Sequence, residues 1–276
     1  MSSRLHRISG CAALALAGAV LASPAVADGT RGSIKDSPKP EARRCTLSAN
    51  VALATEYVFR GYSQTAEGPA IQGGFDAACG MFYAGVWASN LDWETAGIDI
   101  EMDVYAGIKP KTGRITWDLG IIYYTYPKGP DFYAGRDNNY LELKVGGSAE
   151  VWKDGTLGVT VFYSPDYQYE TGATWTGEVS FSQVLPKIGR FSPTFSALIG
   201  YQKNEGDAFY VNTAFGNTDD HYLYWNAGVT LGFHEKWSLD LRYWDTSLES
   251  NGPSSYCKGG AFQCDERFVA TLKFVN

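Results

Sequence analysis

The sequence has no long apolar segment after residue 27, and this absence excludes membrane helices from residues 28–276, the part that remains after the signal peptide described below is removed. A helix needs about 18 to 20 consecutive apolar residues to cross a bilayer, and no later stretch approaches that length. Only helices and closed barrels satisfy every backbone polar group in lipid. If the mature chain lies in a membrane, it must therefore do so as a β-barrel.

Basic residues are also in the minority. The chain has 23 Lys and Arg against 30 Asp and Glu, a formal charge of -7. Removal of residues 1–27 takes away Arg4 and Arg7 and no acid, so the balance becomes 21 minus 30, or -9. Because affinity for nucleic acid comes from clustered Lys and Arg, this balance argues against a nucleic-acid partner.

The N-terminus has the three parts of a secretory signal peptide. Arg4 and Arg7 precede an apolar run at 11–22, and Ala25-Val26-Ala27 forms an A-x-A cleavage site. We therefore expect Sec-type export and cleavage near Ala27 and Asp28. Residues 28–44 mix Gly, Pro and charged side chains, which predicts a flexible leader before an ordered domain at 45–276.

Cysteine is scarce, and its number favours disulfides. Four of the five cysteines remain after cleavage, namely Cys45, Cys79, Cys257 and Cys264. An even number in an oxidising compartment favours disulfides over metal ligands, although three pairings are formally possible.

Alternation with a period of two is the main structural signal after Cys45, and it indicates β-strands. Residues 98–108 show it most clearly, with three carboxylates on one face. Charges on the lipid side of a barrel are destabilising, at a cost on the order of a few kcal/mol, so this face must contact water. The apolar face is Ile98, Ile100, Met102, Val104, Ala106 and Ile108, and the polar face is Asp99, Glu101, Asp103, Tyr105 and Gly107.

The same pattern along the chain predicts an all-β fold, a transmembrane antiparallel up-and-down β-barrel of about twelve strands. An even strand number places both termini on the periplasmic side. The predicted strands are 47–60, 69–79, 81–91, 97–109, 114–126, 139–152, 156–166, 174–185, 190–202, 221–233, 236–247 and 265–275.

Connections between these strands alternate in length, as is typical of barrels with short periplasmic turns and long external loops. In this map Cys45 and Cys79 lie at the periplasmic edge of neighbouring strands, whereas Cys257 and Cys264 lie in the last external loop, which selects these two pairings. The short connections are 79–80, 110–113, 153–155, 186–189 and 234–235, and the longer ones are 61–68, 127–138, 167–173, 203–220 and 247–264, with a modest loop at 92–96.

Alternation also predicts the lining of the lumen. The polar face carries ten acids and five bases, so an open path should favour cations. The predicted pore-lining residues are Glu56, Arg60, Gln72, Asp76, Asp99, Glu101, Asp103, Asp118, Glu142, Lys144, Glu178, Asp240, Arg242 and Arg267, with Asn50, Glu150 and Lys273 on the same face.

The interior of such a barrel has two possible states. In barrels of about eight strands the side chains fill the interior, whereas barrels of sixteen to eighteen strands leave an aqueous channel. A barrel of about twelve strands lies between these limits. The strand number therefore leaves open whether the lumen is a narrow water-filled path or a plugged interior.

Residues for catalysis and metal binding are few. The mature chain has only His221 and His234. His221 lies beside two aspartates, Asp219 and Asp220, as a rim hydrolase would require, but no nucleophile is identifiable near it in sequence. The row of carboxylates at 99, 101 and 103 resembles a weak cation site but more often forms a lumen wall paired with bases. We expect no enzyme activity, no cofactor and no metal.

Aromatic residues concentrate near predicted strand ends, which is typical of interfacial girdles. A platform for stacking sugars is the alternative, and sequence does not separate the two. These residues are Tyr57, Phe59, Trp87, Trp93, Tyr123, Trp152, Trp175, Tyr201, Trp225, Trp237 and Tyr243.

Four motifs within residues 48–90 resemble a known family. They are SANV from Ser48, YVFRGYSQT from Tyr57, PAIQGGFD from Pro69 and FYAGVWASN from Phe82. With the acid-alternating strand ending in Tyr105-Ala106-Gly107, they resemble the TorF-type family of porin-like proteins, exported outer-membrane proteins whose substrate is unassigned. The resemblance implies an outer-membrane barrel with a pore-type role, and no catalytic residues. The cysteine pairs are not part of this pattern.

Arg60 and Gln72 lie within these motifs, on the inferred luminal face near the first external loop. They are our candidates for a constriction or solute contact. The alternative is that Arg60 with Gly61 only shapes the first hairpin.

We therefore predict an outer-membrane porin-like channel of a Gram-negative bacterium, for passive diffusion of small hydrophilic solutes with a preference for cations. The alternatives are an outer-membrane hydrolase with a rim active site and a non-conducting structural or interaction barrel. The expected partners are outer-membrane lipid, the barrel-assembly machinery and the solutes themselves.

Overall fold

Antiparallel β-strands make up nearly all of the computed structural model, which describes residues 45–93, 97–127, 137–206, 220–248 and 263–276. The predicted signal peptide and leader lie outside these residues. The strands are β1 (Thr46–Ala54), β2 (Val58–Phe59), β3 (Tyr62–Ser63), β4 (Ala70–Cys79), β5 (Phe82–Trp93), β6 (Ile98–Ile108), β7 (Lys111–Thr112), β8 (Ile115–Thr125), β9 (Tyr140–Trp152), β10 (Gly155–Ser164), β11 (Thr174–Val184), β12 (Ser192–Asn204), β13 (His221–Phe233), β14 (Trp237–Thr246) and β15 (Arg267–Val275), with a 3-10 helix at Gln168–Glu170.

In the described part of the chain, twelve long strands close into one barrel. Each of these strands pairs with the long strands that precede and follow it in the sequence, so β6 pairs directly with β8. The first strand, β1, pairs with the last, β15, and this pairing closes the barrel. The pair β2 and β3 forms a separate two-stranded hairpin. The prediction of an antiparallel twelve-stranded barrel is confirmed.

The five predicted tight turns all lie at one end of the barrel, which we call the turn side; the opposite end is the loop side. Several turn residues adopt the left-handed conformation, among them Gly80, Asp154 and His234. A left-handed turn matches the twist of the two strands that it joins. The Cys45–Cys79 disulfide also lies on the turn side and joins β1 to β4, as predicted.

The outer surface of the barrel is apolar. Along β6, Ile100, Met102 and Val104 are exposed, whereas Glu101 and Asp103 are buried in the lumen. The other strands show the same arrangement, apolar outside and polar inside, and their large exposed side chains are mainly Leu, Ile, Val and aromatic residues. A surface of this kind is stable against lipid hydrocarbon, and a polar interior needs the shelter of the barrel wall.

The predicted first strand, 47–60, is wrong at its end. β1 stops at Ala54, and the chain then enters the lumen as the β2–β3 hairpin. Arg60 and Gly61 form the turn of this hairpin, both with positive φ. A Cβ at Gly61 would overlap the Thr246 side chain, so the close contact of this turn with the barrel wall requires glycine.

Cys264 is also disulfide-bonded. Cys257, its predicted partner, lies outside the described residues.

No helix in the described ranges is long and apolar enough to cross a membrane.

Candidate functional site

The loop-side half of the lumen holds the inward hairpin, and Arg60 at its turn makes the main polar contact. The Arg60 guanidinium donates to both carboxylate oxygens of Glu142 on β9, each at 2.8 Å. Their side chains are 4% and 1% exposed. A buried charge must be paired and hydrogen-bonded to be tolerated, and this bidentate pair meets that condition.

Aromatic rings surround this ion pair. The Arg60 guanidinium lies 4.8 Å from the Phe59 ring centroid and 5.0 Å from that of Phe162. Tyr124 donates its hydroxyl to Glu142 at 3.1 Å, and Tyr222 donates to the Arg60 carbonyl at 3.1 Å. The hairpin is thereby attached to β8, β9, β10 and β13, which lie along one side of the barrel.

A second ion pair attaches the other side of the hairpin segment. Glu56 pairs with Arg267 on β15, and both side chains are buried. The Ser63 amide donates to the Gln263 carbonyl at 2.7 Å, and the Asp92 amide donates to the Gln64 carbonyl at 2.9 Å. The hairpin segment, residues 55–69, therefore spans the lumen from wall to wall.

Two carboxylates on β6, Glu101 and Asp103, lie in the lumen beneath this segment. They are 2% and 5% exposed. Their neighbours in register on β5 are Ser89 and Trp87, and Tyr124 on β8 faces Asp103. Among the residues that the structure describes, no Lys or Arg forms a salt bridge with either acid. The pairing with neighbouring bases, which sequence favours for such a row, is absent for these two residues.

Three rows of tyrosine, glycine and acid cross neighbouring strands of the inner wall. In the row Tyr105, Gly85, Asp76, the ring passes over the glycine and the hydroxyl donates to the carboxylate at 2.6 Å. Tyr224 reaches Glu178 over Gly200 in the same way, also at 2.6 Å. In the third row Tyr83 crosses Gly107 and Gly120 and reaches Asp118 at 2.6 Å.

Glycine is required in these rows because a Cβ there would overlap the ring that lies across it. The arrangement holds each tyrosine against the wall instead of across the lumen. It also gives each carboxylate a hydroxyl donor.

On the turn side the charged groups are more accessible. Asp118 accepts from the Lys144 ammonium at 2.8 Å, with Lys109 at 3.7 Å. The Asp118 side chain is 20% exposed, and that of Lys109 is 22% exposed. Water therefore reaches this half of the lumen.

Arg242 and Asp240 form a closed network at mid-height. The Arg242 guanidinium donates twice to Asp240, at 3.0 and 2.9 Å, and also to Asn226 and Ser196. Thr230 donates to Asp240 at 2.6 Å. This pair is fully engaged and stabilises the wall.

The remaining predicted luminal residues differ in position. Gln72 lies on the inner face of β4 opposite Ala52 and Ser89, and Asn50 and Lys273 are half-buried. Glu150 is exposed and accepts from the Asp154 amide in a tight turn at 3.2 Å. Asp99 is exposed and Ile98 is buried, the reverse of the predicted faces, at a point where the β5–β6 pairing is irregular.

His221 lies at the loop end of β13 with an exposed side chain. Its Nδ1 is 2.9 Å from Asp220, and this hydrogen bond holds the pKa of the Asp220 carboxyl below its usual value. Asp219 lies outside the described residues. No group of three or more His, Cys, Asp or Glu within the described ranges is arranged to hold a metal.

The aromatic residues separate into two sets. Trp152, Trp175 and Trp237 are 55%, 45% and 40% exposed on the outer face, and Tyr123 and Tyr201 accompany them. These rings match interfacial girdles. Tyr57 and Trp93 are instead 2% exposed inside the barrel.

A cavity of about 60 Å³ lies between the hairpin and the wall on the loop side. Sequence reasoning missed most of its lining, although alternation alone places Tyr222 and Tyr224 on the inner face of β13. The lining residues are Phe59, Arg60, Tyr62, Gln64, Tyr126, Tyr140, Tyr167, Gln168, Tyr169, Thr171, Gln202, Asn204 and Tyr222.

Fold and site together define a transmembrane β-barrel whose polar lumen holds a folded-in hairpin at one end. The chain belongs to the family described as "Bacterial protein of unknown function (Gcw_chp)", whose model matches residues 39–275. The matching family does not carry the TorF name, so that part of the resemblance is not supported. No curated protein matches the chain.

Solved structures with a similar course of the chain include outer-membrane porins and channels. The NanC porin is 10% identical, with 84% of this chain and 98% of that chain covered and a TM-score of 0.49. The KdgM porin in complex with disordered oligogalacturonate is 11% identical, with coverages of 83% and 97% and a TM-score of 0.46. An outer-membrane channel from Pseudomonas putida F1 is 9% identical, with coverages of 87% and 99% and a TM-score of 0.44.

Proposed function

We propose that this protein is an outer-membrane porin-like channel through which small hydrophilic solutes diffuse, with a preference for cations. The observation that carries the proposal is the reversed surface of the barrel, apolar outside and charged inside. A closed barrel of this kind shields a polar interior from lipid and provides a wet route across the membrane. Export by a signal peptide cleaved near Ala27, and insertion by the barrel-assembly machinery, belong to the same proposal.

The hairpin segment sets the size limit of the proposed path. It spans the loop-side lumen, and a cavity lies between it and the wall. We therefore assign passage to small solutes that move between the hairpin and the wall. The proposal includes no catalytic role: we assign the exposed His221 and Asp220, which contact each other, to the rim, where Asp220 also pairs with Lys203.

The preference for cations rests on Glu101 and Asp103. Both are buried beneath the hairpin and form no salt bridge with a described base. A cation that enters the passage stabilises the ionised form of these two carboxyl groups, and the ionised pair in turn attracts cations rather than anions. The bases that anchor the hairpin segment, Arg60 and Arg267, are already engaged by Glu142 and Glu56.

Planar-bilayer recording of the refolded mature protein under a KCl gradient tests both the channel and its preference for cations. We expect discrete conductance steps and a reversal potential on the potassium side. The double variant Glu101→Gln with Asp103→Asn should shift the reversal potential toward zero, whereas Asp99→Asn, on the same strand but exposed, should not. Absence of channels contradicts the channel itself, and anion selectivity of the native protein contradicts the assignment of the two carboxylates.

A further inference from the structure

We propose that the loop-side cavity binds a neutral saccharide, a sugar without carboxylate or ammonium groups. This inference rests on the proposed function, because it names a class of solute for the same path. It is carried by the chemistry of the cavity lining rather than by the acidic lumen as a whole.

Among the residues that the structure describes, the lining offers no free charge. Its one ionic side chain is Arg60, and Glu142 occupies both ends of that guanidinium at 2.8 Å. An anionic ligand would have to break this buried ion pair, and a cationic one would meet the edge of a neutralised arginine. A ligand with no net charge avoids both penalties.

Aromatic faces and amide groups converge on the cavity. Tyr140 and Tyr167 lie with ring centroids 4.6 Å apart on one side, and the amides of Gln64, Gln168 and Gln202 lie among the lining groups. Aromatic rings pack against the C–H faces of a sugar ring, and amides offer both a donor and an acceptor to its hydroxyl groups. Neither feature alone selects a sugar, but a few oriented polar groups in an aromatic pocket fit a polyhydroxyl ring.

One donor in the lining has no partner among the described residues. The Gln168 side-chain amide nitrogen is buried and makes no hydrogen bond within the described part of the chain. A buried donor without an acceptor is costly. A hydroxyl oxygen of a bound sugar would supply that acceptor.

The cavity also lies where binding would matter for passage. Phe59 and Gln64 come from the hairpin, Gln168 from the 3-10 turn between β10 and β11, and Gln202 from the wall strand β12. A sugar held there contacts the hairpin and the wall together. Binding there would therefore take place beside the hairpin, on the proposed path itself.

Saturation-transfer NMR on the detergent-refolded protein tests binding without any need for conduction. Maltose and glucose are the neutral probes, with galacturonate and glucosamine as charged comparisons. We expect saturable transfer to the ring protons of the neutral sugars, and weaker transfer to the charged ones. Absence of saturable transfer, or equal transfer to galacturonate, would overturn the proposal.

Variants of the cavity lining test whether the sugar binds at this cavity. Gln168→Leu removes the unpaired donor and should weaken maltose binding about tenfold, since a hydrogen bond to a neutral group is worth up to about one factor of ten. Tyr167→Ala should weaken binding by a similar factor, whereas Tyr201→Ala, which removes a ring from the outer face of β12, should not. Unchanged binding in both cavity variants would overturn the assignment.

The two proposals can fail separately. If the protein binds maltose saturably but forms no channels, the saccharide site is supported and the channel is contradicted. If the protein forms channels but binds no sugar, the channel is supported and the saccharide site is contradicted.

Discussion

The loop-side and turn-side halves of the lumen use the same residue types in opposite ways. On the loop side, Arg60 and Glu142 are 4% and 1% exposed and hold a hairpin across the barrel. On the turn side, Lys144 and Asp118 are 11% and 20% exposed and lie against the wall. An ion pair inside this barrel therefore holds the fold together where protein covers it, and lines a wet surface where water reaches it.

Removal of the hairpin should abolish this difference and have the largest effect. Ala54 and Ala70 are paired in register, so replacement of residues 56–68 by Gly-Gly joins β1 to β4 with a short turn. We expect single-channel conductance to rise several-fold, because the loop-side lumen loses its main obstruction. As a control, replacement of residues 186–189 by Gly-Gly shortens a turn-side connection and should leave conductance unchanged. Equal conductance of the hairpin variant and the native barrel would show that the hairpin is not the constriction.

Loss of one buried charge should affect stability next most. Glu142→Ala leaves Arg60 buried without a partner and should lower the free energy of unfolding by about 3–5 kcal/mol. Asp118→Ala on the turn side should cost about 1 kcal/mol or less, because water screens the lysines that remain. Urea unfolding in lipid vesicles, followed by tryptophan emission, measures both values.

The double variant Arg60→Met with Glu142→Met is the control for this comparison. Removal of both charges should restore most of the stability that Glu142→Ala loses. If the double variant is as unstable as the single one, the loss is due to packing and not to the unpaired charge.

The tyrosine rows of the wall should respond less strongly. Gly85→Ala places a methyl group where the Tyr105 ring lies and should cost about 1–3 kcal/mol through overpacking. Gly177→Ala has no neighbouring atom within 4 Å of the added carbon and should change stability by less than about 0.5 kcal/mol. The same urea unfolding compares them, and equal effects would mean that the ring moves aside freely.

The smallest effect is expected at the rim. His221→Ala removes an exposed partner of Asp220 and should leave conductance and thermal stability unchanged. A loss of either would indicate that the rim has a role which the lumen does not explain.

Period-two alternation was sufficient to predict the barrel, because each long strand has one face in lipid and one in the lumen. It predicted β6 from Ile100 onward, the tight turns and the Cys45–Cys79 disulfide. It failed at residues 55–60, where Glu56, Tyr57 and Val58 are all buried in succession, a pattern that alternation cannot produce. A segment that is surrounded by protein on every side has no exposed face, so its sequence shows no alternation from which its course could be predicted.

The candidate site was only partly predictable for a related reason. Alternation placed Arg60, Glu101 and Glu142 in the lumen, but it does not say which charges meet. Arg60 and Glu142 are 82 positions apart, and the tyrosine rows depend on the relative register of three strands. Such contacts arise from barrel closure and not from any local pattern.

The Glu56–Arg267 pair joins a segment just after the first strand to the first residue of the last strand. Glu56 follows β1 and Arg267 lies on β15, on opposite sides of the β1–β15 seam, so the two side chains can pair only when that seam is closed. The hairpin therefore gains its second anchor in the same event that seals the wall. We therefore expect a barrel with an open β1–β15 seam to lack the Glu56–Arg267 anchor and to hold its hairpin only through the Arg60–Glu142 side.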